Sequence, residues 1–341
     1  MNVKKIAIAA SILGIIGGSL VGCTNASPDN NTAINTDTKL ATNTSAEIKT
    51  PTGNKKLRSV AFTVGDLSNP FFVFMAKAIE TEAKRIGGKD VNVIVASSAY
   101  DLNQQANQIE NFTAANTDII VLNAADKRGI RPIVEKAKQA GRIVIAVDTG
   151  AEGGVDATIT TNNVQAGEVS CKYIADRLKG KGNVVIVNGP PVDSVIQRVN
   201  GCENVLSKYP NIKILSKNQN ADGSRDGGLR VMTDLLTTFP KIDAVFAIND
   251  PSGVGAELAA NQAKRKDFFI VGVDGAPEAI TAIAAKNGLY AATATQNPRG
   301  MAEKAVQVGN DILNGKKPQL PTILIPVKLI TKDNVSTEKG W

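Results

Sequence analysis

The stretch that decides the fold is "SVAFTVGDLSNPFFVFMAKAIETEAKRIGG", Ser59 to Gly88. It opens with an almost wholly apolar run, which is typical of a strand buried on both faces of a parallel sheet. It closes on a pattern in which one apolar stripe at helical spacing is formed by Val73, Ala76, Ile79 and Ala83. The turn "DLSNPFF" between them carries two adjacent phenylalanines, and aromatics at such a turn require something to pack on them.

The same strand-then-helix unit recurs along the chain. Helical patterns such as "GIRPIVEKAKQAG", "QAGEVSCKYIADRLKG" and "MTDLLTTFP" alternate with short apolar runs. An irregular stretch, "TGAEGGVDATITTNNVQAG", interrupts the series near the middle, and the series then restarts. The pattern predicts an α/β protein with two doubly wound lobes. The strand candidates are "SVAFTVG", "VNVIVAS", "DIIVLNA", "RIVIAVD", "NVVIVNG", "IKILSK", "IDAVFAIN" and "FFIVGVD".

The N-terminal segment has the pattern of an export signal. Residues 1–22 combine Lys4 and Lys5 with a long apolar run, and they end in "LVGC", which resembles the lipobox of bacterial lipoproteins. Lipidation at Cys23 is therefore expected; an ordinary signal peptide or an anchor helix with a chance cysteine is the alternative. Residues 23–56 are rich in Asn, Thr, Ser and Asp, and they are expected to form a disordered tether.

Composition excludes several classes of function. The net charge is +7, and cleavage removes Lys4 and Lys5, so the mature chain carries 7 − 2 = +5. This charge is dispersed and not interleaved with aromatics, so nucleic acid is a poor partner. The chain has no histidine, which excludes Ser-His-Asp and Cys-His catalysis and histidine zinc sites. We therefore expect neither an enzyme nor a cofactor or metal.

Polar residues follow the apolar runs at several points. "SNP", "NDP", "DGAP" and "QNP" each stand before a helix, and Asp148 ends "IVIAVD". Such residues can be simple helix caps. Ligands of doubly wound sheets bind outside the carboxyl ends of the strands, so the same residues can also line a cleft. Amide and carboxylate groups suit sugar hydroxyls, and Phe71 and Phe72 suit the C–H faces of a sugar ring. The alternative for the phenylalanines is plain core; one buried and one lining the cleft is a third arrangement.

The segment from Leu57 to Trp341 resembles the periplasmic sugar-binding proteins of ABC transporters of the ribose/galactose type, which share their fold with LacI-type repressor cores. The motifs that carry the resemblance are "LSNPFF", "IIVLNAAD", "IVIAVDTGAE", "TTNNVQAGE", "VFAINDPSGVGA", "VGVDGAPEA" and "AATATQNP". The resemblance implies two Rossmann-like lobes joined by a three-crossing hinge near Thr161, Gln296 and Pro326. Residues 57–161 plus 297–326 would form the first lobe, and residues 162–296 plus 327–341 the second.

The resemblance also implies a set of sugar contacts. They fall on Asn69, Phe71 and Phe72 in the first lobe, on Asp148 at the end of its fourth strand, and on Asn249, Asp274 and Gln296 in the second lobe and the hinge. Asp126, in "NAAD", lies near the same edge and is a weaker candidate.

The chain departs from the family at three positions. Thr149 stands where the family often has Arg, Gly223 stands where an aromatic covers ribose, and the cleft Arg falls on Ile196 if Gly201 is the anchor. Arg198 is the candidate substitute, and a surface position on its helix is the alternative. These losses favour a larger or differently substituted sugar than ribose, such as a hexose, with fructose as one guess.

The function implied is that of a lipid-anchored solute-binding protein. It would capture a monosaccharide between two lobes by hinge closure and deliver it to the permease of an ABC importer. The alternative is a sensor that presents its ligand to a chemoreceptor or histidine kinase. The signal peptide excludes a repressor. We expect a monomer located in the periplasm or on the cell surface.

The remaining cysteines form an even pair. Cys171 lies on the helix that enters the second lobe, and Cys202 lies on the first crossover helix of that lobe. The two helices should pack on the same sheet face, and the compartment of an exported protein is oxidising. These points predict a disulfide; two buried free thiols are the alternative.

Overall fold

The computed structural model describes residues 55–341. The predicted signal peptide, the lipidation site at Cys23 and nearly all of the predicted tether lie outside the described residues. Within the described range, no helix combines the length and apolar character needed to cross a membrane.

The first lobe is built on a six-stranded sheet in which every paired neighbour is parallel. Its order is β11-β5-β4-β3-β1-β2. The strands are β1 (Ser59–Val64), β2 (Asn92–Ser97), β3 (Ile119–Leu122), β4 (Ile143–Val147), β5 (Ala157–Thr161) and β11 (Thr322–Ile325). β3 and β4 are buried along their whole length, as their apolar sequences predict.

The second lobe repeats this arrangement with one antiparallel edge. Its sheet has the order β12-β10-β9-β8-β6-β7, and only the β10–β12 pair is antiparallel. The strands are β6 (Lys181–Val187), β7 (Asn211–Ser216), β8 (Ala244–Ala247), β9 (Phe269–Asp274), β10 (Tyr290–Thr295) and β12 (Leu329–Thr331). The predicted α/β class with two doubly wound lobes is confirmed.

Helices cover both faces of each sheet, so each lobe has two apolar core layers. The helices are α1 (Pro70–Gly87), α2 (Leu102–Ala114), α3 (Arg131–Gln139), α4 (Asn163–Arg177), α5 (Asp193–Leu206), α6 (Arg225–Thr238), α7 (Asp250–Gln262), α8 (Pro277–Ala284) and α9 (Pro298–Leu313). A short 3-10 helix, Val335–Thr337, follows β12.

The chain passes between the two sheets three times. It crosses after β5 into α4, after β10 into α9, and between β11 and β12. Gln296 lies in the second crossing, where its Oε1 accepts a hydrogen bond from Thr161 Oγ1 at 2.7 Å and its Nε2 donates to Asp274 Oδ1 at 2.7 Å. One side chain therefore joins the end of β5 in the first lobe to the end of β9 in the second.

Helices α4 and α5 pack unusually closely in the second lobe. A Cβ at Gly167 would collide with the carbonyl oxygen of Arg198, and a Cβ at Gly201 would collide with that of Val164. In the same interface the structure pairs Cys171 with Cys202 as a disulfide, with the Cα atoms 5.0 Å apart. This packing fixes the position of α5 over the cleft.

Candidate functional site

A cavity lies between the two lobes at the carboxyl ends of the strands. The cavity is small, with a volume of about 30 Å³. All of the predicted contact residues except Asp126 line it, namely Asn69, Phe71, Phe72, Asp148, Arg198, Asn249, Asp274 and Gln296.

Asp148 follows β4 directly and supplies a carboxylate from the first lobe. Its φ of 64° lies in the left-handed region, and such strained backbone is often found at functional sites. Asn123 Nδ2 donates to Asp148 Oδ2 at 3.0 Å, whereas the buried Oδ1 has no hydrogen-bond partner. Burial raises the pKa of Asp148 from 3.8 to about 6, although Arg198 and Asn123 favour the charged form.

Asp274 ends β9 and supplies the matching carboxylate from the second lobe. Its φ of 137° is also positive, and its Oδ2 is buried without a hydrogen-bond partner. Burial raises the pKa of Asp274 from 3.8 to about 6, with Arg198 and Gln296 opposing the shift and the charge of Asp148 adding to it. Each lobe therefore presents one buried carboxylate oxygen that the protein leaves unsatisfied.

Arg198 is the cation of the cavity. It lies on α5 and is only 4% exposed. Its Nε donates to Asn163 Oδ1 at 2.8 Å, its Nη1 donates to the carbonyl of Ile248 at 2.9 Å, and Nη1 lies 3.7 Å from Asp274 Oδ1. These bonds hold the guanidinium in the cavity wall, where it partly offsets the two carboxylates.

Two asparagines cap helices and line the cavity at once. Asn69 accepts from the backbone N–H of Phe71 at 3.0 Å and caps α1. Asn249 accepts from Ser252 N at 3.1 Å to cap α7, and its Nδ2 donates to the carbonyl of Gly223 at 2.8 Å. The capping and lining interpretations are therefore compatible for both residues.

Phe71 and Phe72 form the apolar part of the cavity wall. Both rings belong to the first-lobe core and both line the cavity, so the lining and core interpretations hold together, and the third arrangement, with one ring buried and one lining, is not what the structure has. Their centroids lie 5.3 Å apart in an edge-to-face arrangement. Trp341 packs behind Phe71 at 5.6 Å, also edge to face. Its Nε1 donates to the carbonyl of Asp274 at 3.0 Å.

The comparison with known families agrees with this geometry. A family profile described as "Periplasmic binding protein domain" matches residues 60–317. The ribose import binding protein RbsB of Bacillus subtilis (strain 168) is 36% identical over 283 residues, which are 82% of this chain and 90% of that protein. The chain belongs to the type I periplasmic sugar-binding proteins.

Solved structures of the family share the fold of this periplasmic sugar-binding protein. A solute-binding protein of an ABC transporter from Bacillus halodurans C-125, solved with bound myo-inositol, is 26% identical; the match covers 84% of this chain and 98% of that one, with a TM-score of 0.76. The fructose-binding periplasmic domain of a hybrid two-component system is 30% identical, with coverages of 82% and 92% and a TM-score of 0.73. At the level of the family, this is a binding protein of the ABC importer type and not an enzyme.

The structure corrects the sequence analysis at Ile196 and Arg198. Ile196 lies on the outer face of α5 and is 47% exposed, so it does not occupy a cleft position. Arg198 is two residues on, which is about 200° around a helix, and its side chain is buried in the cavity wall. The surface alternative for Arg198 is wrong, and the argument that two arginines are lost is wrong too.

Asp126 is a second correction. Its side chain is exposed and lies outside the cavity. Its Oδ1 accepts from the backbone N–H groups of Arg128 at 2.9 Å and Gly129 at 2.6 Å, which closes the turn before α3. In "LNAAD" the residue that reaches the site is instead Asn123, which follows β3 immediately.

Three functional residues were not predicted. Asn123 holds Asp148, and its place directly after a strand was a usable signal. Asn163 accepts from Arg198, but nothing in its sequence context marks it as polar support for a cavity. Tyr100 lines the cavity from the turn between β2 and α2, where no motif points to it.

Proposed function

We propose that this protein binds one uncharged monosaccharide in the interlobe cavity and delivers it to an ABC importer. The observation that carries the proposal is the pair of buried carboxylate oxygens, Asp148 Oδ1 and Asp274 Oδ2, which have no protein partner. A buried acceptor without a partner is costly, and ligand hydroxyl groups are donors of the right kind.

The charge of the cavity narrows the ligand. Two carboxylates and one guanidinium give the lining a formal charge of −1, which disfavours sugar phosphates and uronic acids. The amides of Asn69, Asn249 and Gln296 can donate to and accept from hydroxyl groups. Phe71 and Phe72 add apolar surface for the face of a ring. A pentose or hexose, such as ribose, allose or fructose, combines both features.

Hinge closure is the proposed mechanism of capture. Contacts come from both lobes, so the ligand stabilises the closed form more than the open form, as a population shift requires. Micromolar affinity corresponds to roughly −8 kcal/mol. A few hydrogen bonds to charged groups, at about 1.5–3 kcal/mol each, supply this after ordering costs.

A thermal-shift screen tests the proposal. Pentoses, hexoses, cyclic polyols and nucleosides are added to the soluble body of the protein, residues 55–341. A ligand at 100 times its Kd adds about 2.7 kcal/mol of stability, which is readily measured. Calorimetry then gives the Kd. If no neutral sugar or polyol raises the midpoint temperature of unfolding, the proposal is wrong.

Sensing is a second candidate, because one structural relative is the fructose-binding domain of a hybrid two-component system. Transport is tested directly in proteoliposomes that contain a candidate permease and ATPase from the same organism. Sugar uptake that requires the binding protein supports import. Activation of a neighbouring kinase without uptake supports the sensor.

We further propose that Cys23 carries a lipid that ties the protein to a membrane. The support is the "LVGC" sequence and the polar stretch that follows it. A labelled fatty acid should enter the wild-type protein and not Cys23→Ser. Equal labelling of the two proteins would exclude lipidation at this residue.

A further inference from the structure

Tyr100 joins the two lobes beside the cavity. Its ring packs against the core of the first lobe and also against the core of the second. It lines the same cavity as Asp148 and Asp274. The residue comes from the turn between β2 and α2, so it belongs to the first lobe but reaches the second.

The backbone that carries the Tyr100 side chain is strained. Ala99 and Tyr100 have φ values of 50° and 58°, both in the left-handed region that costs energy for residues with a Cβ. The turn is held by Tyr100 N, which donates to the carbonyl of Gly65 at 3.1 Å, and by Asp101 N, which donates to the carbonyl of Ser98 at 2.8 Å. Two consecutive strained residues beside a binding cavity point to a functional constraint.

Two glycines lie against Tyr100, and one of them makes room for its ring. A Cβ at Gly65, at the end of β1, would overlap the Tyr100 ring, so only glycine lets the ring lie there. Across the cleft, a Cβ at Gly223 would stand 3.9 Å from the Tyr100 hydroxyl oxygen. Gly223 has a φ of 62°, so a larger residue is disfavoured there as well. The first lobe thus leaves space for the ring at Gly65, and Gly223 of the second lobe lies beside the hydroxyl.

The hydroxyl of Tyr100 is available to a ligand. Among residues 55–341, the hydrogen bond made by Tyr100 is that of its backbone N–H, and no protein group pairs with its hydroxyl. Burial, followed by the charges of Asp148, Asp66 and Asp274, raises the pKa of the Tyr100 hydroxyl. The group therefore stays protonated and can donate a hydrogen bond in the cavity.

We propose that Tyr100 determines which sugar fits: its hydroxyl hydrogen-bonds the bound sugar, and its ring limits the size of the ligand on the Gly223 side. The inference rests on the proposed function, since it assigns a role within the same cavity.

The test is the ratio of affinities for a small and a large ligand. Wild type, Tyr100→Phe and Tyr100→Ala are titrated by calorimetry with D-ribose, D-allose, D-fructose, myo-inositol and the methyl glycoside of the preferred sugar. Tyr209→Phe is the matched control, because Tyr209 lies outside the cavity lining. Tyr100→Phe should weaken binding of the preferred sugar about fivefold to twentyfold. The ratio of the affinities for the methyl glycoside and the parent sugar should not change in this variant. Tyr100→Ala should raise the ratio of the methyl glycoside to the parent sugar at least tenfold.

The possible results distinguish a failure of the proposed function from a failure of the proposed role of Tyr100. If wild type binds none of these ligands, the proposed function fails and this inference fails with it. If wild type binds a sugar but both Tyr100 variants behave like Tyr209→Phe, this inference alone is wrong. Equal losses for every ligand in Tyr100→Ala would show a packing role and also overturn it. Should Tyr100→Ala not fold, Tyr100→Leu replaces it, with the same ratio as readout.

Discussion

Arg198 Nη1 lies 3.7 Å from Asp274 Oδ1, and both side chains are at least nine-tenths buried. The ion pair does not satisfy both oxygens of the Asp274 carboxylate, because Oδ2 has no hydrogen-bond partner. Arg198 in turn is anchored by Asn163 and by the carbonyl of Ile248. The ion pair therefore belongs to the second lobe, but one of its oxygens remains free for a ligand.

Removing either carboxylate should weaken sugar binding about thirtyfold or more and leave the fold intact. Asp148→Asn and Asp274→Asn each lose a charged acceptor, so about 2 kcal/mol or more of binding free energy should disappear. Asparagine is chosen because it has nearly the shape of aspartate without its charge, and at position 148 it also tolerates the left-handed φ of 64°. Calorimetry measures the affinity, and circular dichroism checks the fold. Asp126→Asn is the control and should bind like wild type; normal binding by both cavity variants would refute the site.

Replacing Arg198 should weaken both sugar binding and stability. Arg198→Ala leaves the Asp274 charge buried without compensation, a change that typically costs about 3–5 kcal/mol. Sugar affinity should fall tenfold or more. Denaturant unfolding and calorimetry measure the two effects, and Arg230→Ala, at a position more than half exposed, is the control. Unchanged affinity in Arg198→Ala would exclude a role in the cavity.

Sugar affinity should decrease as the pH falls through about 6. The pKa values of Asp148 and Asp274 are both raised to about 6, and only the ionised carboxylate is a full acceptor for ligand hydroxyls. One pH unit below its pKa, each group weakens binding by about tenfold. Calorimetry at pH 7.5, 6 and 5 measures this loss.

The same two groups affect the stability of the ligand-free closed fold in the opposite direction. A carboxyl pKa raised on folding contributes stability that is present at low pH and is lost as the pH rises through about 6. Loss of affinity at pH 5 should therefore not be accompanied by loss of fold from these groups. In Asp148→Asn the free energy of unfolding should depend less steeply on pH, and a wild-type affinity that does not change with pH would contradict the assignment.

Cys171 and Cys202 should be found as a disulfide in the exported protein. A loop closed across 31 residues is worth roughly 3–4 kcal/mol on the chain-entropy model. Protein denatured without reductant should not react with a thiol reagent until reductant is added. Two reactive thiols would instead show buried free cysteines. The Cys171→Ser, Cys202→Ser double variant should unfold at lower denaturant.

Tryptophan fluorescence should report closure, because Trp341 is the only tryptophan in the chain. Its ring touches Phe71 and Phe74 of the first lobe, and its Nε1 donates to Asp274 of the second. Sugar titration should change the emission with the Kd found by calorimetry. Asp274→Asn at the same sugar concentration serves as the blank. Binding seen by calorimetry with no change in emission would show that the surroundings of Trp341 do not change when the lobes close.

Among residues 55–341, the sequence predicts eight strands and misses β5 and β10 inside the sheets and β11 and β12 at their edges. Each of the eight predicted apolar runs contains a strand, but β2 and β7 lie at sheet edges and are mostly exposed or half-buried. β5, "ATITT", was overlooked because its threonines resemble a loop. In the structure two of these threonines make hydrogen bonds to distant parts of the chain: Thr160 donates to the carbonyl of Asp148, and Thr161 donates to Gln296. Apolar content therefore identifies a strand but does not give its position in the sheet.

The site was predictable where a residue lies at or just after the carboxyl end of a strand. Asp148 follows β4, Asn249 lies two residues after β8, and Asp274 ends β9; all three line the cavity. The position of the Arg198 side chain could not be predicted from local sequence, because it depends on the rotation of α5. That rotation is set by the glycine contacts of α5 with α4. The position of Tyr100 could not be predicted either, because it depends on a left-handed turn that no motif in the sequence indicates.

The unsatisfied oxygens of Asp148 and Asp274 have a consequence for the energy economy of the cell. At about 1–3 kcal/mol for each buried group without a partner, two such groups hold the closed, empty form to roughly one molecule in thirty or fewer. An importer that recognises the closed form would then rarely meet a carrier without cargo. The carboxylates that hold the sugar would thereby also guard against ATP hydrolysis without transport.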